Sequence, residues 1–171
     1  MKKRWIALCA AAILLLGIGF YLRGGGTGIP EDKINAEQTK NVSWDAQDYQ
    51  TMEASDGETL YVGVMYRKDY SDARYFIYIK KGGLSFGWHF LCSGGLSEQD
   101  GLRAFDCGEY GTAYVALNKA QAISRIEFDD GSEPAVIENV TSPVCVRSES
   151  AVHFYDTAGK PVEPNRMTLL H

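Results

Sequence analysis

The sequence predicts a mainly β fold, an antiparallel β-sandwich or small barrel, preceded by one N-terminal transmembrane helix. Three observations carry this expectation. Residues 5–22 contain no charged side chain, and as a helix such a stretch is long enough to cross a hydrocarbon core of about 30 Å. Beyond residue 40 no strong helical period is present, whereas short apolar runs recur between turns rich in Gly, Asp and Ser. Finally, 10 Tyr, 7 Phe and 3 Trp are too many for a disordered chain, which is poor in aromatics.

The apolar stretch sets the topology. Lys2, Lys3 and Arg4 precede it and Arg23 is the one charge that closely follows. The positive-inside bias therefore puts residues 1–4 in the cytoplasm, residues 5–22 across the membrane as a signal-anchor, and the rest outside. Trp5 and Tyr21 suit the two interfaces. The alternative is a cleaved signal peptide and a secreted body, but its apolar part is usually about 7 to 15 residues and ends at an A-x-A-like site. Here only glycines such as Gly24 and Gly26 follow. Leu8 is bulky where lipoprotein processing takes a small residue, so Cys9 reads as one more apolar residue of the helix.

All 22 acidic residues lie from Glu31 onward, together with 13 of the 17 basic ones, so the part beyond the anchor carries a net charge of −9. Nucleic-acid binding depends on neutralising phosphates, which argues against that class of partner. The membrane, through the anchor, and a protein or glycan outside it remain. No cofactor motif is apparent.

Residues 23–47 read as a tether. Its glycines from Gly24 to Gly28 are flexible, and Pro30, Glu31 and Asp32 begin a short helix through about Thr39, with proline in the first turn and acids at the positive end of the dipole. The apolar content of that helix is too low for a core element. The β domain is expected over 48–165, with a tail at 166–171. Strands at 49–54 and 59–67 flank a turn at Asp56 and Gly57, and further strands fall at 112–117, 123–128, 132–140, 144–146 and 151–155 and around Val162. Asp130 and Gly131 suit a two-residue hairpin loop, and Pro134 marks the strand after it as an edge or bulged one.

The clearest hairpin turns at Gly82 and Gly83. A two-residue loop there pairs Ile79 with Phe86, Ile77 with Trp88 and Tyr75 with Phe90 on one apolar face, which Cys92 continues. The other face carries Phe76, Tyr78 opposite Gly87, and His89, with Leu91 beyond. Phe76, Tyr78 and His89 are the candidate binding residues: aromatics on a solvated sheet stack on sugar rings or dock a protein. The competing expectation is burial under a second sheet or under the loop at 93–110.

The run from Tyr78 to Lys81 into Phe86, Gly87, Trp88, His89 and Phe90, then Ser93, Gly94 and Gly95, and later Ile123 to Gly131 closing on Phe154 to Lys160, resembles a group of small exported or membrane-anchored proteins of Firmicutes over roughly residues 60–163. The resemblance implies the compartment and the β class, and no catalytic residue.

Chemistry is sparsely encoded. Cys92, Cys107 and Cys145 are in no metal-ligand spacing. A bridge between Cys92 and Cys107 would close a loop and add about 3 kcal/mol in the chain-entropy model; otherwise all three are buried thiols. A cell-envelope hydrolase using His89 and Ser93 with the 93–110 loop is the alternative function. His153 is a further histidine for such a set, but no G-x-S-x-G elbow accompanies these residues. Asp129 to Glu133 lacks the residue order of a calcium loop. Asn41 and Asn139 stand in glycosylation sequons, which a bacterial host would leave unused.

Overall fold

A computed structural model of the chain describes residues 13–15, 17–18, 27–40, 42, 48–82, 85–129, 131 and 134–170. Trp5, Cys9, Arg23 and Asn41 lie outside the described residues, as do most of the signal-anchor stretch and Asp130, Ser132 and Glu133. The pieces of that stretch at 13–15 and 17–18 are helical. Among the described residues no helix is long and apolar enough to cross a membrane.

The body is mainly β, with antiparallel pairing in every sheet. The first sheet runs in sequence order: β1 (Tyr49–Ser55), β2 (Leu60–Arg67), β3 (Ala73–Ile79) and β4 (His89–Gly95). The second joins β5 (Arg103–Asp106), β6 (Thr112–Ala116), β9 (Val144–Ser148) and β11 (Asn165–Thr168) in the order β11-β5-β6-β9. The third joins β7 (Arg125–Asp129), β8 (Ala135–Glu138) and β10 (Ala151–Tyr155) in the order β10-β7-β8.

These sheets stack because two of them are apolar on both faces. Along β2, Leu60, Val62 and Val64 turn one way to meet Phe105, Ala113 and Val115 of the second sheet, while Tyr61 and Met65 turn the other way, as the two-residue period requires. Along β6 the same division sends Ala113 and Val115 toward the first sheet, and Tyr114 and Ala116 toward Ile126, Val152 and Phe154 of the third. The second sheet is thus the middle layer.

The outer face of the first sheet is closed by the segment expected to be a tether. Ile29 exchanges backbone hydrogen bonds with Trp88, Ile29 N–H to Trp88 O at 2.9 Å and Trp88 N–H to Ile29 O at 2.8 Å. A 3-10 turn at Glu31–Lys33 then leads into α1 (Ile34–Thr39). Ile34 is 0% exposed and packs against Tyr61, Met65, Phe76, Tyr78 and Trp88. One fully buried isoleucine is worth about 1.5–3 kcal/mol, so the low apolar content of this helix did not keep it off the core.

Four expectations are corrected by the strand pairing. The β3–β4 hairpin does not turn in two residues at Gly82 and Gly83: Ile79 pairs with His89, Tyr78 with Phe90 and Ile77 with Cys92, with a bulge between Ile77 and Tyr78. Residues 80–88 form the connection, because Trp88 pairs with Ile29 instead of Ile77. The 93–110 stretch is no open loop, since β4 runs on to Gly95 and β5 buries Ala104 and Phe105 within it. The first half of the tail, 166–168, is strand, for β11 runs parallel to β5 with Arg166 opposite Ala104. The β7–β8 connection is also longer than two residues, with Phe128 opposite Ala135. β8 is an edge strand, as Pro134 indicated.

A polar pin holds the first sheet to the second. Asp56, in the β1–β2 turn, accepts N–H groups from Glu58, Thr59 and Leu60 on Oδ1, and the Thr59 hydroxyl on Oδ2. Arg147 of β9 donates to Oδ2 at 2.7 Å. Burial alone would raise the carboxyl pKa, but the hydrogen bonds from the Thr59 hydroxyl and from the three backbone N–H groups outweigh it and hold Asp56 well below the usual carboxylate range. A carboxylate whose folded pKa is depressed stabilises the fold above its unfolded pKa, and that stabilisation is lost as the pH falls through the folded value. Asp56→Ala should lower stability by about 2–4 kcal/mol at pH 7, since several charge-assisted hydrogen bonds vanish together. Urea unfolding of the detergent-solubilised chain at pH 7 and pH 3 measures this, and the deficit should shrink at the lower pH.

Candidate functional site

Phe76 and Tyr78 do not form a solvated face. They are 1% and 2% exposed, enclosed by α1 and by the rings of Tyr61 and Trp88. Gln38 of α1 donates from its Nε2 to the Tyr78 hydroxyl at 2.5 Å. Burial raises the Tyr78 pKa, partly countered by that hydrogen bond. These aromatics are therefore core residues, and the cover comes from the N-terminal segment, not from a second sheet or from residues 93–110.

His89, the third candidate, is partly exposed, and its Nε2 lies 2.6 Å from Ser85 Oγ. Burial, then the charge of Lys81, lowers the His89 pKa. Ser93 stands elsewhere, opposite Phe76 in the β3–β4 ladder, while His89 is opposite Ile79. His153 is exposed on β10 in the third sheet. The structure thus brings His89 to Ser85 and joins it to neither Ser93 nor His153.

Cys92 and Cys107 share the layer between the first and second sheets, with Cys145 beside them. All three are free thiols. Burial pushes Cys92 up to about 11. Burial, with Cys92 and Asp106 nearby, pushes Cys107 up to about 12, and burial takes Cys145 to about 12 as well. The thiolate is the nucleophile and the metal ligand, so these groups serve as packing. Among the described residues no group of three His, Cys, Asp or Glu side chains is placed to hold a metal ion.

A cleft of about 510 Å³ lies between the β2–β3 turn and the connection from β4 to β5. Its floor is apolar, from Tyr70, Ala73, Leu96 and Leu117, and its rim carries Asp72, Ser97, Glu98 and Lys119. Around it three non-glycine residues sit in the left-handed backbone region: Tyr70 at φ 58°, Asn118 at φ 51° and Gln121 at φ 52°. Such conformations cost of order 1–3 kcal/mol each and persist where neighbours over-determine them.

The neighbours are identifiable. The Tyr70 ring stacks on Tyr66 with centroids 5.4 Å apart, and its hydroxyl reaches the Ser142 carbonyl at 3.4 Å. Asn118 is buried. Its Nδ2 donates to Ile123 O at 3.0 Å and its Oδ1 accepts Ile123 N–H at 2.8 Å, pinning the turn after β6. Glu98 accepts Lys119 N–H at 2.8 Å and Ala120 N–H at 2.7 Å. Ser97 and Asp100 form a reciprocal capping box, and Asp100 also pairs with Arg103. The rim is thereby rigid, and Asp72 and Lys119 are exposed on it. A shallow cleft with a fixed rim, an apolar floor and a lysine together with the carboxylates of Asp72 and Glu98 on its rim suits recognition of a small mixed ligand or a short peptide segment.

Sequence reading missed this cleft. Asn118 and Tyr70 give no pattern of their own, and Glu98 meets its partners only through the fold. No protein-family model, no curated protein and no solved structure matches the chain.

Raised pKa values protect the thiols, of which Cys107 is buried and Cys92 and Cys145 are half-buried. N-ethylmaleimide at pH 7 should leave Cys92, Cys107 and Cys145 unmodified in the folded chain, and should label all three in urea without reductant. Peptide mapping by mass spectrometry checks this; absence of labelling at Cys92 and Cys107 in urea would mean that they are bridged.

Proposed function

We propose that the chain is a single-pass membrane protein whose β-sandwich body is held outside the cytoplasm as a non-catalytic binding module, like the small envelope proteins of Firmicutes that it resembles. The observation that carries the reading is that Ile13, Leu14, Leu15 and Ile18, helical and apolar, are exposed, while most large apolar side chains of the body are covered by its own layers and by α1, with Phe86, Phe90, Val136 and Ile137 the exposed ones among the described residues. A run of large aliphatic side chains exposed in this way among the described residues is explained by lipid. The charge distribution around residues 5–22 orients it, with the acidic body outside.

Binding is assigned to the cleft of Tyr70, Leu96 and Lys119, because its geometry is fixed before any ligand arrives. Preorganisation lowers the entropic cost of binding. The partner is a protein segment or a glycan presented in the cell envelope.

Expression of the full chain in a Gram-positive host tests the reading. The protein should remain in the membrane pellet after alkaline carbonate extraction, its body should be digested by protease added to intact protoplasts, and its mature mass should include residues 5–22. A mature N-terminus beyond residue 22, or a body shielded from external protease, would overturn it.

A further inference from the structure

Two large aromatic side chains of the body are left in water, Phe86 at 64% exposure and Phe90 at 55%. Both lie at the end of the first sheet where the N-terminal segment joins it. Gly28 N–H donates to the Phe86 carbonyl at 2.5 Å, and the next pair, Ile29 and Trp88, exchange two backbone hydrogen bonds. The join is tight, for a Cβ on Gly28 would lie 2.6 Å from the Gly87 carbonyl carbon, and Gly87 itself adopts φ 82°. Phe86 is thus fixed relative to the point where the chain leaves toward residue 22.

Only residues 23–27 separate that point from the apolar stretch. At about 3.3–3.6 Å per extended residue, the six steps from Leu22 to Gly28 span no more than about 22 Å. The polar headgroup region takes up roughly 5–7 Å of that on each side of the bilayer. The exposed rings are therefore held within roughly 15 Å of the lipid surface whenever residues 5–22 span it, close enough to reach it. Lys80 and Lys81 are exposed at the same end, but so are Glu31 and Asp32, so net charge supplies little attraction and the apolar rings supply the contact.

From this placement we infer that Phe86 and Phe90 insert into the interfacial layer of the membrane that holds the anchor, so that the β3–β4 end of the first sheet rests on phospholipid. The inference rests on the anchor reading above. Aromatic rings partition to the headgroup boundary, and a contact made by a tethered body is intramolecular in effect, so two rings suffice where a free domain would need more. The cleft at Tyr70 lies at the opposite end of β3 from Ile79, the end where residue 80 and the connection to β4 begin, and so remains open to the envelope.

The test uses the full chain in vesicles of phosphatidylcholine and phosphatidylglycerol, 7:3 in the sense of roughly one-third anionic lipid, with and without phosphatidylcholine spin-labelled near the headgroup. Flotation after carbonate washing reads the anchor. Paramagnetic broadening of the Phe86 and Phe90 signals in selectively labelled protein reads the contact. Flotation with loss of most Phe86 and Phe90 intensity, while Phe105 and Phe154 in the core keep theirs, is the expected result. In the double variant Phe86→Ser and Phe90→Ser, the chain should still float with an unchanged core spectrum, and amides at residues 85–90 should lose their broadening. Flotation without broadening would overturn the lipid contact and leave the anchor standing. Absence of flotation would remove the anchor reading itself. Unbroadened rings together with chain-to-chain photocrosslinks at position 86 would overturn the proposal in favour of a second copy as the occupant.

Discussion

The crossing of Gly28 over Gly87 is the constraint on which the rest of the structure depends. Two backbones meet there so closely that neither position has room for a Cβ. That approach lets Ile29 pair with Trp88, which turns Trp88 toward Tyr61 and starts α1 above Phe76 and Tyr78. Without α1 the first sheet would expose four large aromatic rings, a patch of the kind that drives association. The N-terminal segment is therefore a structural layer, and whatever precedes it is attached to the body through a fixed joint.

From that joint inward the architecture follows from two strands that are apolar on both sides. β2 and β6 each serve two cores, so the sheets stack in layers with the N-terminal segment outermost. Polar groups set the registration between layers. Asp56 with Arg147 ties the first sheet to the second, and Asn118 and Glu98 fix the turn after β6. These groups are hydrogen-bonded, as buried or half-buried polar atoms must be. They also explain why the rim of the cleft near Tyr70 tolerates backbone conformations that side chains rarely adopt.

Much of this was legible in the sequence where the signal is local. The strands near 49–54, 59–67, 112–117 and 151–155 follow from apolar period and turn residues, and Pro134 marked β8 as an edge. Errors arose where a distant segment competed for the same backbone. Gly82 and Gly83 offered a short turn, but the hydrogen bonds of Ile29 claimed Trp88 and lengthened the connection. β5 has four residues between glycine-rich flanks, too few for its period to stand out, and β11 gains its identity only by lying beside β5. α1 was judged by its apolar content, whereas a single isoleucine in the right place seals the sheet. The cleft was invisible because its determinants, Asn118 and Glu98, act through backbone groups that sequence does not display.

The segment from Gly28 to Thr39 is part of the folded body and not a flexible leash. Amide hydrogen exchange on the membrane-reconstituted full chain tests it most directly, since exchange protection reports local opening. The amides of Gly28, Ile29 and Trp88 should be protected to within an order of magnitude of those of Val62 and Ile77. Exchange of Gly28 and Ile29 at the rate of an unstructured peptide, with Val62 and Ile77 still protected, would contradict it.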